Sequence, residues 1–395
     1  MTRGRVAPER LVDALAELEP AAASDRAAVR VVRAPGRVNL IGEHTDYNLG
    51  LVLPVAIDRE IHIAAVPTGD RRVELTRLDT GERLGFELDI DRPRDGTWID
   101  YIAGTAFALR DAGLPVRGIR GVIGSDLPEG AGLSSSAALE LAAAWAVLDE
   151  AAAATLDRLH LARICQRAEN GYVGVRTGLM DQFASSCGVA GSALLLDCRS
   201  LAWRRITLPT DLRLVVVHTG SPRRLDASPY NLRREQCDAA VATLRTVDPR
   251  VTSLRDVTPE SLATQRDRLD PVVARRAEHV IAENQRVLDV VAAFEVGDLE
   301  AVGVAFAASH ASLRDLYEVS SVELDALVEI AATVDGVVGS RMTGAGFGGC
   351  TVNLVRAGAV GPLRRAIDRE YHARSGRSAM IFPVTAADGA GPVQP

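Results

Sequence analysis

The sequence predicts two α/β domains, and three observations carry that expectation. Strand-like segments, alternating or uniformly apolar, interleave with amphipathic helical segments along most of the chain. At 395 residues the chain is long enough for two substantial cores. Between Gly124 and Glu140 (GSDLPEGAGLSSSAALE) an apolar strand passes through a loop of small residues into an Ala/Leu-rich helix.

Taken in order, a helix is expected over Pro8 to Leu18, then an Ala-rich connector to residue 27 and a short strand from Arg30 to Ala34. Ala34 to Gly50 reads APGRVNLIGEHTDYNLG. Pro35-Gly36 signals a turn, and Glu43, His44, Asp46, Tyr47 and Asn48 form a dense polar cluster before the apolar run Leu51 to Ile57. Such a cluster between apolar strands either faces solvent or lines a polar pocket, because buried polar groups need partners. With Arg37 beside it, the cluster has the composition of a hydrogen-bonding set for a polyol.

Ile61 to Val66 and Arg71 to Thr76 read as strands, and Trp98 to Leu109 as a helix with an i, i+3, i+7 apolar face. Trp98 opens that helix as either a core residue or a ligand contact. The strand Ile119 to Ile123 leads to the loop Gly130, Ala131, Gly132, Leu133, Ser134, Ser135, Ser136. Its glycines permit close backbone approach. A helix from Ser136 to about Glu150 would turn its free N–H groups and positive dipole end toward the loop. That combination makes an anion site, most often for phosphate; the alternative is a plain strand-to-helix turn with a serine N-cap.

A further helix is expected over Thr155 to Asn170, carrying Glu169. In Gly171 to Gly188 (GYVGVRTGLMDQFASSCG) Asp181 sits in a Gly-flanked apolar segment. An acid there is expensive to desolvate and is normally paired, so it reads as a helix N-cap or as a catalytic carboxylate. Leu194 to Asp197 and Leu212 to His218 read as strands, the second as a central one. The polar connector at 199–211 places a boundary between domains 1–205 and 206–395. Tyr230 to Asp238 opens a charged helix, and long helices follow at about 272–296, 298–313 and 321–334, whose arginine and acid runs read as solvated faces. Ser340 to Gly349 (SRMTGAGFGG) is a Gly-rich loop before the strand Cys350 to Val355. The tail after Ala386, rich in Gly, Ala and Pro, is expected to be frayed.

Composition narrows the function classes. The net charge of −7 does not suggest nucleic acid as the main partner. No apolar run approaches the roughly 20 residues that span a bilayer, and the first residues lack the apolar core of a secretory signal, so a cytoplasmic protein is expected. Five scattered cysteines without a CxxC pair speak against a disulfide framework or a zinc site. The chain contains no lysine. That removes the Walker-A loop, the protein-kinase strand lysine and Schiff-base chemistry, leaving loop backbone and a helix dipole to handle phosphates.

Three loops in this order and spacing resemble the superfamily of galactokinase, homoserine kinase, mevalonate kinase and phosphomevalonate kinase, the GHMP kinases. Within it the chain resembles the galactokinase family: Gly36 to Tyr47 (GRVNLIGEHTDY) matches that family's N-terminal signature throughout. Leu127 to Ala137 and Arg341 to Gly349 match the second and third motifs, Gly178 to Gln182 (GLMDQ) resembles the catalytic-aspartate segment, and Ser309 to Asp325 a further stretch. The resemblance covers about residues 30 to 385.

It implies an α/β (α+β) fold with an N-terminal domain like ribosomal protein S5 domain 2 and a ferredoxin-like C-terminal domain, the active site lying between them. It implies ATP-dependent phosphorylation of α-D-galactose to galactose 1-phosphate. Asp181 would be the base at the anomeric hydroxyl, and Arg37 would offset charge on the transferring phosphoryl group. Glu43, His44, Asp46, Gly178 and Tyr230 would bind the sugar. Gly130 to Ser136 would wrap the nucleotide phosphates, Gly344, Ala345 and Gly346 would approach from the other domain, and Trp98 would border the adenine. Ser135 and Glu169 would ligate magnesium, hard oxygens for a hard cation. The implied partners are galactose and ATP, with neither nucleic acid nor membrane, and a monomer is expected.

The chain departs from the family pattern where Asn170 follows Glu169 in place of His, across His218 to Arg224, at Pro229 in place of an acid, and at Leu316 in place of Asp. These positions bear on the loop over the sugar. Two other readings stay open at this point: a sugar-1-kinase for N-acetylgalactosamine or arabinose, and a non-catalytic sensor of galactose and ATP.

Overall fold

The computed structural model describes residues 6–20, 28–128, 130–221 and 227–393. The first part of the chain runs α1 (Pro8–Leu18), β1 (Arg30–Asn39), β2 (Leu51–Val52), β3 (Pro54–Pro67), β4 (Arg72–Arg77), β5 (Arg83–Glu87), α2 (Ile99–Asp111) and β6 (Ile119–Ser125). There follow α3 (Ser135–Val147), α4 (Glu150–Thr155), α5 (Arg158–Ala168), α6 (Met180–Cys187), β7 (Ser192–Asp197) and β8 (Trp203–Thr207). The second part comprises β9 (Leu212–His218), α7 (Ala227–Arg245), α8 (Pro259–Gln265), α9 (Pro271–Val296), α10 (Leu299–Asp315) and α11 (Val322–Ala332). It ends with β10 (Val337–Thr343), β11 (Cys350–Arg356), α12 (Val360–Ser375), β12 (Met380–Val384) and β13 (Gly391–Val393).

The strands form three sheets. One is six-stranded in the order β13-β1-β3-β6-β4-β5, one four-stranded in the order β10-β11-β9-β12, and one three-stranded in the order β2-β7-β8. Among the described strands only the β4–β6 pair is parallel. β9 lies inside its sheet with Leu214 to Val217 buried, as its unbroken Val/Leu run requires. α3 is buried along nearly its whole length; its alanines let β1 and α2 pack closely on either side of it. The five cysteines are buried free thiols.

Several expected boundaries shift for identifiable reasons. Leu51 to Ile57 and Ile61 to Val66 were separated by the polar residues Asp58, Arg59 and Glu60, yet from Pro54 onward they are one strand, β3. Glu60 pairs in register with Pro35 and bonds Arg33 at 2.6 Å, so partners on neighbouring elements satisfy the polar interlude. The short strand expected at Arg30 to Ala34 continues to Asn39 through a β-bulge between Pro35 and Arg37. The connector at 199–211 contains β8, paired with β7 from Ser192↔Thr207 to Leu196↔Trp203. Ser340 to Thr343 belong to β10, which leaves 344–349 as the loop.

The tail is a correction. Instead of fraying after Ala386, it returns to the first sheet, with Val31↔Val393 and Arg33↔Gly391 in register. On the way it bonds the end of α6: Gly389 N–H donates to Gly188 O at 2.9 Å and Ala390 N–H to Ser185 O at 2.7 Å. Local composition signals fraying, but open sheet edges and helix carbonyls elsewhere in the fold supply partners that a local reading does not see.

Candidate active site

β1, the loop 127–134 and α6 meet at one point. Gly36 has no side chain there, and a Cβ would lie 2.7 Å from the Leu133 carbonyl oxygen, so the loop rests directly on the strand backbone. Arg37 follows the bulge. Its N–H donates to Leu133 O at 3.1 Å and its Nη1 to Gly132 O at 2.7 Å. Its Nε and Nη2 donate to Asp181 Oδ1 and Oδ2 at 2.8 and 2.9 Å, a bidentate charged pair. The Ser134 hydroxyl adds a bond to Asp181 Oδ2 at 2.6 Å.

Neither side chain acts as a helix cap. Asp181 lies in the first turn of α6, whose N-cap is Leu179, and its carboxylate serves Arg37 and Ser134. Ser134 stands at the N-cap of α3 in the left-handed region at φ 59°, but its side chain caps nothing.

A cavity of about 480 Å³ opens over this pair. On one side stand Glu43, His44, Asp46 and Tyr230; on the other Gly130, Gly132, Ser134, Ser135 and Ser136, with Glu169 and Trp98 beyond, while Gly344 and Ala345 close in from the β10–β11 loop. The remaining expected residues stand behind the wall. Ala131 and Leu133 are buried in the core, so only their backbone is available to a ligand. Gly346 packs against Val319 O. Gly178 lies under Asp46, where a Cβ would overlap the carboxylate.

The polyol cluster is held from behind. Glu43 is 1 % exposed; it accepts from Gly344 N–H at 2.8 Å and from Asn39 Nδ2, and pairs with Arg341 at 3.0 Å. It therefore ties the first motif to the third, with oxygen lone pairs remaining. Burial pushes its carboxyl above the usual range against the pull of Arg341. Asp46 is pushed up to about 6, first by burial and then by the neighbouring charge of Asp181. His44, at φ 63°, is bounded by Tyr230 at 5.7 Å and Tyr317 at 4.7 Å between ring centroids, and its Nδ1 lies 2.8 Å from Tyr47 Oη.

On the nucleotide side, Glu169 is buried and accepts from Thr177 Oγ1 at 2.6 Å and Gln182 Nε2 at 2.8 Å. Burial raises its carboxyl, which also takes a bond from the Ser136 hydroxyl. Of the two serines opening α3, Ser136 is therefore the one on Glu169, and Ser135 is exposed. A buried carboxylate held by hydroxyl and amide donors, beside hydroxyls at a helix N-terminus, fits a hard divalent ion bound mainly through phosphates and water. Among the described residues no group of three or more His, Cys, Asp or Glu converges. Trp98 donates from Nε1 to Glu82 at 2.9 Å, which holds its ring at the cavity wall. Asn170, where the family pattern has His, closes the 170–177 turn through both amide atoms on Thr177. Residues 222–226, which include Pro222, Arg223 and Arg224 of the departing segment, lie outside the described residues.

Four residues given no role from sequence prove central. Arg341 is fully buried and donates to Leu40 O at 2.9 Å. Glu283, from mid-α9, accepts from Gly42 N–H at 3.0 Å and Ser309 Oγ at 2.7 Å. Burial would raise Glu283, but Arg286, His279 and Arg341 outweigh it and bring it down to about 2. Tyr317 and Gln182 complete the set. For Glu283 the available signal was a charge inside an apolar helical face, which a reading of solvated faces passes over.

A small-residue strand-to-helix loop pressed against a carboxylate paired with arginine, with a polar pocket opposite, is the layout of a small-molecule kinase of the GHMP class. Comparison agrees: the chain matches the models for the GHMP kinases N-terminal domain over residues 100–189 and the GHMP kinases C-terminal domain over 290–373. The galactokinase galactose-binding signature matches residues 22–67. Galactokinases of Roseiflexus sp. and Chloroflexus aggregans are 46 % and 44 % identical to it, each alignment spanning 92 % of this chain and 93 % and 92 % of the relative. Lactococcus lactis galactokinase complexed with galactose superposes with a TM-score of 0.91 at 35 % identity, over 97 % of this chain and all of that one. Methanococcus jannaschii mevalonate kinase shares the fold at a TM-score of 0.63, 18 % identity and coverage of 92 % and 100 %. The chain belongs to the galactokinase family and is a sugar kinase.

Proposed function

We propose that the protein transfers the γ-phosphoryl group of ATP to the anomeric hydroxyl of α-D-galactose, giving galactose 1-phosphate and ADP. The observation that carries this reading is the bidentate Arg37–Asp181 pair at the junction of the polyol cluster and the phosphate loop. Asp181 takes the anomeric proton as that oxygen bonds to the γ-phosphorus and the bond to ADP breaks. Arg37 fixes the carboxylate and faces the charge on the transferring group. Glu43, His44, Asp46 and Tyr230 receive the sugar hydroxyls. An epimer leaves such buried groups unpaired, which is a strong basis for rejection.

The phosphates lie along Gly130 to Ser136 with Gly344 to Gly346 opposite, and Trp98 borders the base. Magnesium would be held by Glu169 and the serine hydroxyls of Ser135 and Ser136, and would supply charge neutralisation on the phosphates. The division into domains 1–205 and 206–395 stays part of the proposal, with residue 205 inside β8. No described helix is long and apolar enough to cross a membrane. A cytoplasmic location is part of the proposal.

The test is ATP consumption with galactose, N-acetylgalactosamine, arabinose, glucose and mevalonate, with and without magnesium. Galactose-dependent turnover that disappears in Asp181→Asn is the expected result. Turnover with another sugar alone overturns the substrate, and binding of galactose and ATP without turnover overturns the reaction.

A further inference from the structure

Three buried side chains from separate helical segments meet at one point: Glu140 from the middle of α3, Glu169 from the π-helical turn that follows α5, and Gln182 from the first turn of α6. Glu140 and Gln182 are 0 % exposed. The Gln182 amide nitrogen lies 3.0 Å from Glu140 Oε2 and 2.8 Å from Glu169 Oε2. An amide nitrogen has two hydrogens, and each goes to a different carboxyl group. With the amide turned over, its oxygen would face two acceptor oxygens instead, so the neighbours dictate its orientation.

Thr177 Oγ1 bonds the same Glu169 oxygen at 2.6 Å, and the Ser136 hydroxyl bonds this carboxyl group too. Ser136 and Glu140 stand at i and i+4 and so share one face of α3. Ser136, Glu169, Gln182 and Glu140 therefore close a ring that begins and ends on one helix. Gln182 also follows Asp181 directly. One turn of α6 thus carries both the carboxylate bonded to Arg37 and Ser134 and the amide that grips Glu169.

Stability alone would not select this ring. Glu140 Oε1 and Gln182 Oε1 are buried and have no hydrogen-bond partner among the described residues. A buried acceptor without a partner opposes folding, and apolar side chains of similar volume are often at least as stable in such a place. What the polar pair supplies is direction, because Glu169 cannot turn without breaking bonds to α3 and α6.

We infer that Gln182 is a positioning residue for the cation: with Glu140 as its far anchor it aims the Glu169 carboxylate at a divalent ion, and its place beside Asp181 ties that aim to the base. That a cation binds at Glu169 rests on the proposed function.

The experiment is calorimetry of the full-length protein with the β,γ-imido analogue of ATP, with and without magnesium, which reads the gain in affinity due to the ion without any turnover. In Gln182→Met this magnesium gain should fall about tenfold, the low end of what the outer partners of a metal ligand contribute. Affinity for the magnesium-free analogue and for galactose should stay as in wild type. Glu140→Gln, which keeps an acceptor for the Gln182 amide, should retain the wild-type gain. The double variant Glu140→Met/Gln182→Met should lose the gain as Gln182→Met does, yet melt no lower than wild type, because it removes both orphaned acceptors. An undiminished gain in the double variant overturns the inference. So does a double variant that unfolds or melts well below wild type, or a loss of galactose affinity as large as the loss of the gain, since either marks a structural role. If Gln182→Met alone does not fold, the double variant decides. A wild-type protein that turns over galactose but shows no magnesium gain would overturn the inference and leave the phosphoryl transfer standing; the expected pattern of binding in a protein without galactose turnover would do the reverse.

Discussion

The two walls of the cavity prepare for their ligands by different means. On the sugar side, Glu43, His44 and Asp46 stand on one tight loop, and partners from distant helices and strands hold it before any ligand arrives. On the other wall, residues 130–136 offer mostly backbone and hydroxyls at the start of α3, and buried Glu169 is held by Thr177, Gln182 and Ser136. A sugar is a rigid set of directional hydroxyls, so its wall must be fixed in orientation. A polyphosphate is a flexible anion, for which N–H groups and a helix dipole suffice in many sequences. Arg37, Asp181 and Ser134 join the two walls.

That contrast can be broken at its junction and sharpened on either side. The largest effect belongs to Asp181→Asn, which removes the base and half of the bidentate pair; kcat should fall about 10³-fold, measured by coupled ADP release, while galactose and ATP still bind. Next comes Gly178→Ala, whose Cβ displaces the Asp46 carboxylate. Calorimetry should show galactose affinity down about 30-fold, the scale of a lost charged hydrogen bond, with ATP affinity unchanged.

Asp46 gives the third prediction. Its carboxyl titrates at about 6 instead of 3.8. Below 6 it is progressively protonated, and kcat/KM for galactose should fall about tenfold per pH unit; this acid limb should vanish in Asp46→Asn. Folding shows the opposite slope. Between about 4 and 6 the native state binds more protons than the unfolded chain, so the Asp46 contribution is full below 4 and declines by about 3 kcal/mol as pH rises through 6. Urea denaturation across that range, wild type against Asp46→Asn, measures it. The smallest effect is Trp98→Ala, which should raise KM for ATP about fivefold through lost ring contact and leave KM for galactose unmoved. An equal shift in both constants would show that the walls are coupled beyond the Arg37–Asp181–Ser134 junction.

The same contrast explains what was legible in the sequence. The polar cluster Glu43 to Asn48 and the small-residue loop Gly130 to Ser136 stand out because each is chemically concentrated within a dozen residues, and local pattern also located α1, α9 and α10 closely. What holds those loops was hidden. Arg341 and Glu283 lie far from Glu43 in sequence, and Tyr317 lies 270 positions from the Tyr47 hydroxyl it meets; a charge inside a helix looks alike whether it faces water or a buried partner. β8 and β13 escaped for a related reason. WRRIT and GPV become strands only because β7 and β1 present open edges to them.

The return of residues 391–393 to β1 has a consequence for biosynthesis. β1 carries Arg37 and is among the earliest segments to leave the ribosome, yet the strand that covers its outer edge is made more than 350 residues later. At about 5–20 residues per second, that edge and the carbonyls ending α6 wait on the order of tens of seconds for their partners. A nascent chain can assemble β3, β6 and α3 in that interval, but the helix bearing Asp181 acquires its last anchors only when Gly389 and Ala390 emerge. Catalytic competence should therefore appear late and abruptly in a synchronised translation, well after the compact shape of the first sheet.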